Sequence, residues 1–297
     1  MTERPRRALI CGSAAFDTLM VFDGRFREHI LPEQIHILNV AFLVPRLRRE
    51  FGGCAGNIAY NLQLIGDPAV PMATVGRDFE PYRKWMERLG LPLEHLRVVD
   101  SELTAQAFIT TDLDDNQITA FHPGAMQHAH LNEVAQARDV VIGIVAPDGR
   151  QGMIEHAEQF AALGIPFVFD PGQGLPMFDA ADLDRFIGQA DWVAVNDYEW
   201  QLLQQKTGWT VRDLTERVEA LIVTRGSKGS IIHTRDRQLD IPCARTTAVV
   251  DPTGGGDAYR AGLLHGRRHD LDLETTGRIA AVMGALKIES RGTQNHR

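Results

Sequence analysis

From Asp139 onward the chain carries four short, continuously apolar runs, "DVVIGIVAP", "IPFVFDPG", "DWVAVND" and "ALIVTRG". Segments that can be helical separate them. A strand that is apolar at every position must be covered on both faces, and helical crossovers that restart each strand in the same direction make such a sheet parallel. The pattern therefore selects the α/β class. The first half fits the same scheme: Ala8–Cys11 reads as a core strand, and "GNIAYNLQLIG" as a helix with Ile58, Ala59, Leu62 and Ile65 on one face and a stop at Gly66. "VPMATVG" reads as a strand and "FEPYRKWMERLG" as a helix.

Two stretches break the alternation. "TAQAFITTDLDDNQITAFHPGAM" reads as a hairpin whose turn holds Asp112, Asp114 and Asp115, and "GSIIHTRDRQLDIPC" reads as a second hairpin. "DAYRAGLLHGRRH" and "ETTGRIAAVMGALKIE" are helical. The expected architecture is one α/β body over residues 1–297, a three-layer, doubly wound, mainly parallel sheet. A small β-rich appendage is expected from residues 14–50 and 101–124.

Composition excludes several functions. A formal net charge of −8 over 297 residues argues against nucleic-acid and membrane-surface partners, which call for a basic patch. The basic, then apolar start "MTERPRRALICGSAAFD" lacks the length and cleavage pattern of a signal peptide, and no later run reaches membrane-spanning length. Cys11, Cys54 and Cys243 are too scattered for a disulfide framework, so a reducing, cytoplasmic setting is expected. No G-x-G-x-x-G follows the first strand and no G-x-x-x-x-G-K-[ST] occurs, which excludes the common dinucleotide and P-loop cradles. His122, His128 and His130 lack acidic or thiol partners at ligand spacing and read as a solvated loop.

The stretch "VVDPTGGGDAYRAGLL", residues 249–264, carries the chemistry. With Val249–Val250 ending a strand and the helix starting after the glycines, free amides and the positive end of the helix dipole converge at Gly254, Gly255 and Gly256. Asp257 at the same point would repel a bound anion. It becomes useful when it accepts the proton of a hydroxyl that attacks a phosphorus held by those amides. The plainer alternative is a glycine-rich turn capped by Asp257.

"DPTGGGDAYRAG" resembles the C-terminal signature of the ribokinase, or PfkB, family of carbohydrate kinases, D-T-x-G-A-G-D-x-F-x-A-G. "FGGCAGNIAYNLQLIG" resembles its N-terminal motif, "NDYEW" its N-x-x-E and "TRGSKGS" its T-x-G-x-x-G, all in family order. The resemblance implies a ribokinase-like fold with a β-rich lid and assigns roles. Asp257 would be the catalytic base, with Gly254, Gly255 and Gly256 as the anion hole. Asp17, Gly52, Gly53 and Asn57 would bind sugar hydroxyls. Asn196 and Glu199 would organise Mg2+ through water rather than by direct ligation. Thr224, Arg225, Gly226 and Gly229 would line ATP, and Asp251, Thr253 and the backbone near Gly292 would hold K+. Pro252 and Gly255 depart from the pattern, as does Cys54, which stands where many sugar kinases carry a polar residue.

Within the family the chain most resembles the bacterial nucleoside and adenosine kinases. That implies 5'-phosphorylation of adenosine or other purine nucleosides, with Phe16, Phe108, Phe121 and Met126 available to a base and a lid that could pair two copies. A sugar kinase acting on ribose or fructose and a non-catalytic binding protein remain the alternatives.

Overall fold

A computed structural model describes residues 6–30, 39–114 and 116–297. Residues 31–38 of the expected appendage, and Asp115 of its turn, lie outside the described residues. The first half holds β1 (Arg7–Cys11), β2 (Ala15–Val21), α1 (Phe26–His29), β3 (Arg46–Gly52), α2 (Cys54–Leu64), β4 (Ala69–Gly76), α3 (Glu80–Arg88), β5 (Leu96–Val99), β6 (Ala105–Thr111) and β7 (Gln117–His122). The second holds β8 (Val140–Val145), α4 (Arg150–Leu163), β9 (Phe167–Phe169), α5 (Ala180–Ile187), β10 (Trp192–Asn196), α6 (Asp197–Thr207), α7 (Val211–Thr215), β11 (Ala220–Thr224), β12 (Ser230–His233), β13 (Gln238–Ile241), α8 (Gly255–Arg268) and α9 (Leu273–Ile288).

The larger sheet has the order β13-β12-β11-β10-β9-β8-β1-β4-β5. All of its pairs are parallel except those of the β12–β13 hairpin edge. Alternate side chains of its apolar strands feed two cores. Ala8 and Ile10 join α2, α3, α8 and α9 on one face, while Leu9 and Cys11 join α4, α5, α6 and α7 on the other. This is the expected α/β/α sandwich. In such a sheet a ligand binds beyond the carboxyl ends of the strands, where the crossovers diverge. Here that edge is the end of β1, flanked by β4 and β8.

The smaller sheet, β3-β2-β6-β7, is the expected β-rich element, and its β6–β7 turn is organised by Asp112. The Asp112 carboxylate accepts from the amides of Phe26, Asp114 and Asn116, which holds its pKa below the ordinary value despite the opposing effect of burial. One expectation fails. Val249 and Val250 are exposed and form no strand. Their segment pairs instead with the end of α9, through the Val250 and Asp251 amides to the Ile288 carbonyl. No described helix is long and apolar enough to cross a membrane.

Candidate active site

The turn after β1 and the start of α2 build one wall. Asp17 on β2 faces Gly52 at the end of β3, and a Cβ on Gly52 would run into its carboxylate. Burial, with the charges of Glu50 and Asp251 adding to it, pushes the Asp17 carboxyl up to about 6. Gly53 is the N-cap of α2, whose first turn carries Cys54 and Asn57. Asn57 Nδ2 donates to Asp257 Oδ2 at 2.7 Å across 200 residues of sequence, so the two signature motifs meet at the carboxylate expected to act as base. Desolvation drives the Asp257 carboxyl up to about 6; the Asn57 hydrogen bond and the Arg260 charge oppose it, and the Asp170 charge adds to it. A carboxyl so placed exchanges a proton near neutral pH, as a general base should.

Asn57 is itself held. Trp85 Nε1 donates to Gln294 Oε1 (2.9 Å), and Gln294 Nε2 donates to Asn57 Oδ1 (3.0 Å) and to the Tyr82 hydroxyl, which donates to the Gly52 carbonyl. The indole can only donate, so the Gln294 oxygen must face it; the Asn57 oxygen then faces Gln294 and its NH2 faces Asp257. The amide orientations follow from that one-way donor.

Behind Asp257, one turn along α8, Arg260 makes a two-pronged ion pair with Asp170, both hydrogen bonds 3.1 Å long and both side chains almost fully buried. The charges of Asp170, Glu199 and Asp257 drive the Arg260 pKa further up, against the effect of burial. Neither Arg260 nor Asp170 stood out in the sequence. The family pattern leaves position 260 open, and nothing local links two residues 90 positions apart.

Asn196 and Glu199 prove to be a reciprocal cap on α6. Asn196 Oδ1 accepts from the Glu199 amide and Glu199 Oε2 accepts from the Asn196 amide, both at 2.7 Å. That is why the pattern spaces them three apart.

On the other side of the glycine loop a cleft of about 400 Å³ is lined by Thr224, Gly226 and Gly229 together with Pro252, Gly255 and Gly256. The T-x-G-x-x-G segment and the anion loop are thus walls of one cavity. Arg225 is not among the lining residues: its guanidinium reaches the Lys228 carbonyl (3.3 Å) and Asp240 (3.5 Å). Gly254 is the N-cap of α8 at φ 80°, a left-handed conformation that other residues adopt at a cost. The resulting turn bonds the Gly255 amide to the Pro252 carbonyl, while the amides of Gly254 and Gly256 meet no acceptor among the described residues. Of the three amides expected to form an anion hole, those of Gly254 and Gly256 are thus free of protein acceptors among the described residues, while that of Gly255 closes the turn.

The register of the small sheet separates the expected base contacts. Glu50, Asp17, Ala107 and Phe121 form one row across the four strands. Phe121 thus shares the face of Asp17, with only Ala107 between, and is half exposed. Phe16 and Phe108 have the opposite parity; Phe16 is fully buried against Phe51 and Tyr82 with the Arg49 guanidinium over its ring. Met126 lies in the 3-10 turn Gly124–Leu131, with His128 and His130. Among the described residues the one His and acid cluster with ligand-like spacing is Asp67, His265 and His269, at the far end of α8, where Arg268 already pairs with Asp67.

Residues 17–297 match the pfkB family carbohydrate kinases. The chain belongs to this family. The nucleoside kinase of Methanocaldococcus jannaschii is 34% identical over 261 residues, 87% of this chain and 85% of that protein. The structure of Burkholderia thailandensis nucleoside kinase in complex with inosine is 54% identical with a TM-score of 0.89, covering 97% of this chain and 93% of that one. The same enzyme in complex with ADP-inosine is 56% identical with a TM-score of 0.86, covering 97% and 91%.

A pfkB kinase uses a metal–ATP complex, and the donor set here fits a divalent ion. Asp170, Glu199 and Asp257 all act on the Arg260 charge, and burial and the Asp170 charge raise the Glu199 pKa. That excess of negative charge is what a hydrated divalent ion would relieve. The residues expected to hold K+ are bonded to one another and to Lys287. Asp251 Oδ1 accepts from the Thr253 amide (3.0 Å), Oδ2 from the Gly292 amide (2.9 Å), and its carbonyl from Lys287 Nζ (2.8 Å). Each of these oxygens takes one protein donor.

Proposed function

We propose that the protein is a cytoplasmic, Mg2+- and ATP-dependent kinase that phosphorylates the 5'-hydroxyl of a ribonucleoside, adenosine or a broader purine set, with Asp257 as general base. The observation that carries this reading is the Asn57–Asp257 contact beside the loop amides that also border the Thr224–Gly229 cleft. An acceptor pocket and a nucleotide cleft then meet at one carboxylate.

The spacing along the small sheet favours a nucleoside over a free sugar. Adjacent strands lie about 4.8 Å apart, so Phe121 sits roughly 10 Å from Asp17 along their shared row, the reach of a nucleoside whose ribose engages Asp17 and whose base stacks on Phe121. The relatives bound to inosine and to ADP-inosine support the same assignment.

In the reaction Asp257 accepts the 5'-hydroxyl proton as the oxygen attacks the γ-phosphorus, while the bond from that phosphorus to the β–γ bridging oxygen breaks and ADP leaves. The Gly254 and Gly256 amides and the α8 dipole stabilise charge on the transferring group, and the small sheet, closing as a lid, excludes water. Bound near Glu199 and Asn196, Mg2+ would neutralise the phosphate oxygens. Exposed Leu47, Phe108 and Ile118 share the sheet face away from Asp17, and we assign to that face the pairing of two lids in a homodimer.

Asp257→Asn keeps the size of the side chain and removes the base. We expect it to bind inosine, by calorimetry, with affinity within about threefold of the parent, and to lose at least 10³-fold in kcat. Undiminished turnover would remove Asp257 as the base. Turnover of ribose or fructose but of no nucleoside by the unaltered protein would favour a sugar kinase, and turnover of neither would favour a binding protein.

A further inference from the structure

Lys287, in the last turn of α9, is 0% exposed, yet no carboxylate lies within ion-pair distance of its ammonium among the described residues. Its Nζ donates instead to two backbone carbonyls, Asp251 (2.8 Å) and Ser290 (3.2 Å). Those carbonyls belong to the two segments behind the glycine loop. The segments are tied to each other by the Val250 and Asp251 amides on the Ile288 carbonyl and by the Gly292 amide on the Asp251 carboxylate. A buried ammonium coordinated by carbonyl oxygens does the electrostatic work of a dehydrated monovalent ion. Burying it without such a role would be costly.

We propose that Lys287 is a built-in cation that holds the Asp251–Gly254 turn in its anion-binding shape, in place of a monovalent ion taken from solution. The proposal rests on the phosphotransfer reading above and makes Lys287 a positioning residue, acting through the loop amides. Asp251 and Asp257 are the negative groups that act on it, Arg48 approaches Asp251 at 3.7 Å, and His296 feels the Lys287 charge from the following segment. A capping role alone is the structural alternative, since a lysine near a helix C-terminus satisfies carbonyls anyway. The two roles separate on whether a small cation can replace the ammonium.

The test compares KCl, NH4Cl and choline chloride at constant ionic strength, reading both inosine phosphorylation and thermal unfolding. In the unaltered protein we expect kcat and Tm to be the same in all three, within about twofold and 1 °C. In Lys287→Met, of similar length, kcat in choline should fall about 10- to 100-fold with little change in inosine KM. K+ or NH4+ should restore at least a tenth of the parent rate and raise Tm. Tenfold activation of the unaltered protein by K+ would overturn the proposal. So would a Lys287→Met variant that keeps the parent rate, or one that loses rate and stability with no response to any cation. Should Lys287→Met not fold, Lys287→Gln takes its place in the same three-salt comparison. Should no nucleoside be turned over, the functional reading fails while the melting comparison still decides the role of Lys287.

Discussion

Replacing Arg260 with methionine probes the electrostatics behind the base. The substitution keeps length and apolar packing but leaves the almost fully buried Asp170 carboxylate without its two guanidinium hydrogen bonds. Breaking such a pair from one side costs about 3–5 kcal/mol, because the remaining charge stays buried. Against a total stability of roughly 5–15 kcal/mol that is a large fraction. Two consequences should appear together. In urea, Arg260→Met should lose about 3–5 kcal/mol, and Arg260→Met with Asp170→Leu should recover most of the loss, since neither charge is then left alone. In kinetics, the Asp257 carboxyl, now facing Asp170 without the opposing charge, should titrate higher than about 6.

The sign follows from the role of the group. A base works when ionised, so kcat/KM rises with pH through its pKa, and a raised pKa moves that acid limb upward. A shift of about one unit corresponds to 1.36 kcal/mol and a roughly fivefold lower kcat/KM at pH 6, approaching tenfold at about pH 5 and nearly vanishing by about pH 8. A single variant that loses less than about 1 kcal/mol and keeps its acid limb in place would refute this account of Arg260.

Two further substitutions test the acceptor side. Gln294→Glu presents only acceptors, so Asn57 should turn its NH2 away from Asp257. Losing that orientation is worth about 1–3 kcal/mol, or roughly 5- to 150-fold in kcat/KM, with the acid limb moved upward and Tm lowered because the new carboxylate is buried; an unchanged profile would mean that Gln294 only packs. Phe121→Ala removes a stacking surface worth about 1–3 kcal/mol, so inosine KM should rise about tenfold or more while ATP KM stays constant; equal effects on both would place the base elsewhere.

Much of this was legible in the sequence because it is local. The apolar runs became strands of the large sheet, "DLDDNQ" became the β6–β7 turn, and the glycine stretch became a helix start with Asp257 in its first turn. Local signals also misled: Val249 and Val250 have strand character, but the carbonyl at the end of α9 takes their segment. The long-range partners were not legible. Gln294 reaches Asn57 across 237 residues and Arg260 reaches Asp170 across 90, and no periodicity encodes either pair. Lys287 reads as an ordinary helix residue until its burial behind the anion loop is seen. The face of Phe121 likewise needs the strand register, which a list of aromatic residues does not contain.

The central claim is that a nucleoside hydroxyl meets ATP at Asp257. The most direct measurement follows the product of ATP, Mg2+ and inosine or adenosine by phosphorus NMR, with ribose and fructose in parallel reactions. The account expects ADP and a nucleoside 5'-monophosphate in equal amounts, at a rate well above that with either sugar. ADP formed only with a sugar, or phosphate released to water at the same rate whether or not a nucleoside is present, would contradict it.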